Sequence, residues 1–251
     1  MPPINEAVLA KLTTFDTPTV CNLIELFDVR PYHSGYMDAR INAAFPEMPP
    51  MVGFAATATF RAAAPPRTGD AYQGLAAQVE RFGELSGPAI VVFQDLDNPT
   101  VAATFGEVMC TTYKAFGAVG LITSGAGRDL QQVRAIEFPV FTNGTVCAHG
   151  YCHTVAVHVP VHVGGLIIYP DDLLHGDCNG VTTIPHDIAA ELADIGDEFV
   201  GAENILLEAM RLEGPSIQSL KEAIAEKDAR VARLQAQVSR RANRMKRQPS
   251  G

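Results

Sequence analysis

The sequence predicts an α/β layer with a strand-rich second half and a helical C-terminal extension. Three observations carry this reading. Val101–Arg134 runs as strand, helix, strand, glycine-rich turn and helix, with β-branched runs alternating with segments of helical period. Residues 154–185 supply one strand after another, separated by Gly-Gly, Pro-Asp-Asp and Asn-Gly turns. From His186 onward the apolar residues return to helical spacing. The expected division is an α/β domain over 1–185 and a helical extension with a basic tail over 186–251.

In order along the chain, residues 4–29 read as two helices, with Leu9, Leu12, Val20, Leu23, Ile24 and Phe27 on the apolar side. The break falls at Thr17-Pro18, where threonine can cap and proline can occupy the first helical position. Residues 30–50 are rich in Pro, Gly and polar side chains and read as a solvated surface excursion carrying His33, Tyr36, Asp38 and Arg40. From Met51 the pattern turns to strand: residues 52–62, VGFAATATFRA, are β-branched or small with a polar end, residues 89–96 are a near-continuous apolar run, and a helix from Asp70 to Leu85 joins them. Residues 138–144, FPVFTNG, are a further short strand. Past His186 the reading is a helix bearing Ile188, Ala189, Leu192 and Ile195, then a separate one over Glu203–Leu212, broken at Gly214-Pro215. Ile217, Leu220, Ile224, Val231, Leu234 and Val238 then form a narrow heptad stripe with Lys227 at its one polar position. Such a seam has to be covered, so the chain is expected to be a homo-oligomer in which this helix packs on its own domain or on a neighbour.

Composition narrows the function classes. At 251 residues, 47% hydrophobic and 19% charged, the chain can bury a sizeable core. A net charge of −9 argues against nucleic-acid or anionic-membrane partners. The basic segment Ser239–Gln248 holds five positive charges and no acid, and removing it leaves −14 on the rest; it reads as a solvated end. No apolar run reaches the roughly 18 residues of a membrane span. The opening MPPINEAVLAKL lacks a basic lead before an apolar core, and the five scattered cysteines read as reduced thiols. The expected location is the cytoplasm.

The chemistry concentrates in 101–134. Both helices of that unit start just past a strand's carboxyl end, one at Gly106-Glu107 and one at Arg128-Asp129. That placement sets unpaired N-terminal amides and a positive dipole end beside each other, which favours an anion. Arg128 adds a planar cation and Asp129 a hard oxygen ligand, while Ser124, Gly125, Ala126 and Gly127 allow close backbone approach. A structural alternative stands beside this: Asp129 with Gln132 resembles a capping pair, and Arg128 could pair with a surface acid. There is neither a G-x-G-x-x-G fingerprint nor a P-loop. Cys147, His149, Cys152 and His153 invite a zinc reading that needs a tight turn at Gly150, and half-buried strand residues are the default. His158 and His162, four apart on a strand, would stand roughly 13 Å from one another, too far to share an ion. His175 is a candidate substrate contact, and Cys110 lies within the first turn or so of the Gly106 helix, where a thiolate would be favoured, with a small core residue as the default.

These motifs, taken in order, resemble a known family. GFAATAT, the G-E-V-M turn, TSGAGRD, FPVF and YPDDLLHGDCNGVTTIP together resemble the RraA-like proteins over roughly Leu12 to Pro185. That family includes class II 4-hydroxy-4-methyl-2-oxoglutarate aldolases, related oxaloacetate decarboxylases and regulators of ribonuclease E. The resemblance implies a swivelling β/β/α domain assembled as trimers or hexamers with sites between subunits. It places the substrate-binding turn on Gly106, Glu107, Val108 and Met109, the pyruvyl-holding arginine on Arg128, and the metal-binding aspartate on Asp129. Glu107 would reach the ion through water. Many members carry Asp-Gly-x-x-Arg-Asp; here Ser124 takes the first position and Gly127 replaces a more usual valine.

The implied activity is a divalent-metal-dependent lyase that cleaves a C–C bond of a 2-oxo acid, by retro-aldol or decarboxylation, with a pyruvate-type product. Mg²⁺ or Mn²⁺ would serve as Lewis acid. Arg128 would stabilise the developing oxyanion, and the Val108 and Met109 amides would fix the carboxylate. The competing class is a non-catalytic ring-shaped regulator that docks on a protein such as a ribonuclease. Keeping Glu107, Arg128 and Asp129 together favours catalysis, since docking needs no metal constellation.

Overall fold

The computed structural model describes residues 4–69, 74–212 and 214–247, with 240–247 as backbone only. The first residues of the helix expected from Asp70, and the side chains of the basic tail, therefore lie outside the described residues. The chain opens with α1 (Glu6–Leu12) and α2 (Thr17–Glu25). The capping residue of α2 is Asp16, whose carboxylate accepts from Thr19 N at 2.8 Å, and Thr17 is already helical. The expected threonine cap is thus displaced by one residue, in favour of the stronger acceptor at the positive end of the helix.

Residues 30–50 are not the solvated excursion their composition suggests. Met37, Ile41 and Phe45 are buried, and β1 (Asn42–Ala43) pairs with β7 (Val140–Thr142). Met37 N donates to Val181 O and Asp38 N to Gly164 O, so the segment is stitched to the strand-rich half. His33, Tyr36, Asp38 and Arg40 do face outward or half outward, and Asp38 and Arg40 pair with each other at 2.6 Å.

One mixed sheet organises the molecule. Its long central strand is β2 (Met51–Arg61), followed by the short α3 (Leu75–Glu80), β3 (Ala89–Asp95), β4 (Ala103–Phe105), α4 (Glu107–Ala115), β5 (Gly120–Thr123), β6 (Ala126–Gly127) and α5 (Leu130–Ala135). After β7 come β8 (His153–Val157), β9 (Val161–Val163), β10 (Leu166–Ile168), β11 (Leu173–Asp177) and β12 (Gly180–Ile184). The sheet order is β1-β7-β5-β3-β2-β11-β12, with β8 also paired to β2. β2, β3, β5 and β7 run parallel, and β11 and β12 add antiparallel strands on the far side. This is the mixed α/β architecture the alternation of elements predicts. β2 is buried on both faces, which is why it reads as a continuous apolar run rather than an alternating one. His158 has a φ of +56° and lies between β8 and β9, so His158 and His162 do not share a strand.

The C-terminal part differs from expectation at one point. The helix starting past His186 and the one expected at Glu203–Leu212 are a single helix, α6 (Ala189–Arg211). Its internal glycines do not break it: a Cβ at Gly196 would stand 2.2 Å from the Phe15 ring, so that glycine admits an aromatic side chain. α7 (Ile217–Arg247) follows the Gly214-Pro215 break and packs back along α6, with Leu234 and Val238 buried in the cluster that holds Leu12, Leu23, Phe54, Leu192 and Phe199. The other end of the stripe stays open, with Ile217 70% and Ile224 37% exposed. Among the described residues no helix is long and apolar enough to cross a membrane.

Candidate functional site

Two short parallel strands bring the two helix starts together. β4 pairs with β6 through Ala103↔Ala126 and Phe105↔Gly127, and Arg128 N donates to Phe105 O at 3.0 Å. The register places the turn before α4 against the turn before α5. Gly106 caps α4 and Asp129 stands in the cap position of α5. Asp129 does not cap its own helix. Its backbone is left-handed, φ 55°, a conformation that aspartate tolerates better than most residues. Its carboxylate instead turns to the neighbouring helix, where Oδ2 accepts from Glu107 N at 3.1 Å. The alternative reading of Asp129 and Gln132 as a capping pair does not hold, and the carboxylate instead bonds a residue 22 positions away.

Arg128 lies alongside, with its Nε 3.6 Å from Asp129 Oδ2, and both side chains are partly exposed. Gly106 closes the arrangement: a Cβ there would meet Asp129 Oδ2 at 2.5 Å and Arg128 Nε at 3.0 Å. The three residues share a space that any side chain at 106 would fill. In α4 the first backbone bond that looks inward is Cys110 N to Gly106 O at 3.1 Å. With Glu107 N taken by Asp129, the Val108 and Met109 amides remain as the donors of that first turn. Glu107 is exposed beside them. Gly127 also has a reason: a Cβ there would stand 2.2 Å from the Phe105 ring, so Phe105 occupies the space a valine side chain would need.

A cleft of about 390 Å³ opens beside these residues. Gly106, Val108, Met109 and Arg128 form one side, and Phe60, Leu75, Cys152, His149 and His153 the other. This second wall was not identified as a site from the sequence, where CAHGYCH suggested zinc or half-buried strand residues. Among the described residues no three His, Cys, Asp or Glu side chains converge to hold an ion, so the zinc set does not assemble. Their nearness to Arg128 depends on β8 pairing with β2, a contact across about a hundred residues of chain, visible in register pairs such as Arg61↔His153. His153 Nδ1 lies 2.7 Å from Tyr151 O. A carbonyl oxygen only accepts, so Nδ1 carries the proton.

The other candidates settle as structural. Cys110 is fully buried, and burial pushes its thiol pKa far above the usual value, so it remains a core thiol. None of the five cysteines forms a disulfide. His175, expected as a possible substrate contact, is wholly buried: Nε2 bonds Leu12 O at 3.1 Å and Nδ1 accepts from the Thr17 hydroxyl at 2.9 Å. It ties β11 to the α1–α2 junction. Burial lowers its pKa from 6.5, because the charged ring would lose hydration. The unfolded chain therefore takes up the proton first. The stability this histidine contributes is intact above about pH 6.5 and is lost as pH falls from there through the lower folded value. Melting temperature measured across that window should fall in the wild type, and the fall should be smaller in His175→Gln; equal slopes would refute this assignment.

A family model described as RraA-like, Aldolase/RraA, matches residues 17–183. A curated relative from Halalkalibacterium halodurans, "Putative 4-hydroxy-4-methyl-2-oxoglutarate aldolase", is 34% identical over 101 residues, which are 40% of this chain and 48% of that protein. The match thus spans about half of that relative's length. Among solved structures, an uncharacterized protein from Pseudomonas syringae pv. tomato superposes with a TM-score of 0.68 at 22% identity, over 89% of this chain and 95% of that one. Streptomyces coelicolor RraAS2, described as an unusual member of the RNase ES inhibitor RraA protein family, gives 0.64 at 21% identity, over 81% and 97%. These two likenesses establish the fold.

Proposed function

The chain belongs to the RraA-like family, and from that premise we propose that it is a divalent-metal-dependent lyase cleaving a C–C bond of a 2-oxo acid to release pyruvate or a close analogue. The observation that supports this most is the convergence of Arg128, Asp129 and the start of α4 around the Cβ-sized space at Gly106. A regulator that only docks on another protein has no use for an arginine and a carboxylate held against the amides of one helix turn.

A divalent ion fits the residues present. Mg²⁺ and Mn²⁺ prefer oxygen, keep several waters, and are held by one or two carboxylates together with substrate oxygens. Asp129 offers such a carboxylate, fixed on one oxygen by Glu107 N. Glu107 is the second acid at hand, reaching through water. When bound, the ion supplies Lewis acidity toward the 2-oxo group.

The chain's own groups supply the rest. The Val108 and Met109 amides, at the positive end of α4, bind the substrate carboxylate. The Arg128 guanidinium donates to the 2-oxo oxygen as negative charge gathers there. In the retro-aldol direction the 4-hydroxyl loses its proton, the C3–C4 bond breaks, and its electron pair passes to C3 and the 2-oxo oxygen. C3 then takes a proton to give the pyruvyl product. In decarboxylation the same bond breaks with loss of CO₂. We further propose that the protein is cytoplasmic and a homo-oligomer, trimer or hexamer, which its lack of disulfides and the open stretch of α7 support.

Pyruvate release from a panel of 2-oxo acids, with Mg²⁺ or Mn²⁺ and with chelator, tests the reading. Release that stops on chelation is expected. Calorimetry with pyruvate present should show ion binding that Asp129→Ala abolishes. A ribonuclease pull-down that Asp129→Ala leaves unchanged, with no turnover of any 2-oxo acid, would favour the regulator instead.

A further inference from the structure

Resting on the lyase reading, we infer that His153 is the general base that takes the proton from the 4-hydroxyl of an aldol substrate and returns it to C3 of the product. Retro-aldol cleavage needs such a group, because the 4-oxygen sheds its proton as it becomes a carbonyl. His153 lines the same cleft that Gly106, Met109 and Arg128 bound on the other side. At about 390 Å³ that cleft has the size of one small-ligand site, so groups on its two walls address the same molecule. Arg128 would hold the 2-oxo oxygen and His153 the 4-hydroxyl, the oxygens at the two ends of the electron shift.

The histidine is arranged to exchange its proton at one nitrogen. Nδ1 donates to Tyr151 O at 2.7 Å. A carbonyl holds that proton whether the ring is neutral or charged, so Nε2 is the nitrogen that gains and loses one. The same bond orients the ring, as the third member of a triad orients its base. His153 also opens β8 and pairs with Arg61 of β2, so a sheet fixes its backbone. His149, the other histidine of this wall, is half-buried in the turn before β8, with Nδ1 2.7 Å from the carbonyl of its neighbour Gly150. His153 is the more enclosed at 8% exposure, and exclusion of water favours a proton that leaves the substrate and comes back to it. In the cleavage direction Nε2 takes the hydroxyl proton, C4 becomes a carbonyl, and the C3–C4 electron pair moves to C3 and the 2-oxo oxygen. The imidazolium then protonates C3, which leaves the ring as it began with no oxidant, reductant or co-reactant. Decarboxylation has no hydroxyl proton to remove: CO₂ departs, the electron pair stays on C3, and solvent protonates it.

The test follows pyruvate from two reactions of the full chain, aldol cleavage of 4-hydroxy-4-methyl-2-oxoglutarate and decarboxylation of oxaloacetate, each above the rate with Mg²⁺ alone. His153→Asn keeps an N–H donor for Tyr151 O and has no basic nitrogen. It should lower kcat for the aldol cleavage at least about a hundredfold, the usual contribution of a positioned base, and leave the decarboxylation near its wild-type rate. If that variant does not fold, His153→Ala takes its place, and added imidazole should restore the cleavage without changing the decarboxylation. Equal losses in both reactions, or a raised KM with kcat unchanged, would make the histidine a structural or binding group and overturn the inference. So would a ratio that moves with His149→Asn and not with His153→Asn, or a wild type that only decarboxylates. The lyase reading stands in each of those cases. Pyruvate from no 2-oxo acid overturns both.

Discussion

Replacing Arg128 by lysine is expected to lower kcat for 2-oxo acid cleavage by about a hundredfold to a thousandfold while the protein still folds. Lysine keeps the charge but loses the planar fork of donors. Removing one donor aimed at a developing oxyanion costs about 2.7–4 kcal/mol in comparable sites. The fold has little stake in this side chain. The Arg128 side chain is 30% exposed, and its ion pair is a 3.6 Å contact with Asp129, whose side chain is 36% exposed. Pairs of that kind contribute less than about 1 kcal/mol to stability. Its backbone bond to Phe105 O is kept in the lysine variant. Turnover and melting temperature measured on the same preparation separate the two roles. Unchanged turnover on a substrate the wild type cleaves would remove Arg128 from the site.

How much of this was legible in the sequence depends on whether a contact is local. The unit from Val101 to Arg134 could be read because its strands, turns and helix starts are written in neighbouring residues: β-branched runs, then glycine, then helical period. That reading put Arg128 and Asp129 at a helix start beside the Gly106 turn, where the structure has them. It could not give the partner of Asp129. Sequence spacing offers the aspartate its own helix, whereas the β4–β6 register and a left-handed φ hand it to Glu107 N. The far wall of the cleft failed for the same reason. Phe60 and His153 meet there because β8 returns to β2, and nothing local to CAHGYCH specifies that return. Residues 30–50 misled in the opposite way. Their prolines and polar groups suggest solvent, yet Met37, Ile41 and Phe45 are covered by strands far along the chain. His175 likewise sits in a strand whose sequence, LLHGD, does not say that Leu12 O and the Thr17 hydroxyl wait on either side of the ring.

Gly106→Ala should be as damaging as the loss of a catalytic side chain, although it adds one methyl group to a residue that does no chemistry. The backbone at 106 is extended, φ −154° and ψ −169°, so alanine is conformationally acceptable there. The obstacle is space. The new Cβ would stand 2.5 Å from Asp129 Oδ2, closer than such atoms approach, and 3.0 Å from Arg128 Nε, tighter than most such contacts. Either both side chains move, or the α4 start moves with the Val108 and Met109 amides. Asp129 is the less able to yield without loss, since Oδ2 is anchored on Glu107 N at 3.1 Å and its backbone is already left-handed. A misplacement of about 1 Å can cost on the order of a hundredfold in rate. Stability should fall by only about 1 kcal/mol, the usual difference between glycine and alanine at a helix cap. The expected result is therefore a folded protein with weakened Mg²⁺ or Mn²⁺ binding by calorimetry and about a hundredfold lower kcat/KM. Should the alanine protein bind the ion and turn over like the wild type, the shared space at Gly106 would not be where the ion, the arginine and the substrate carboxylate meet.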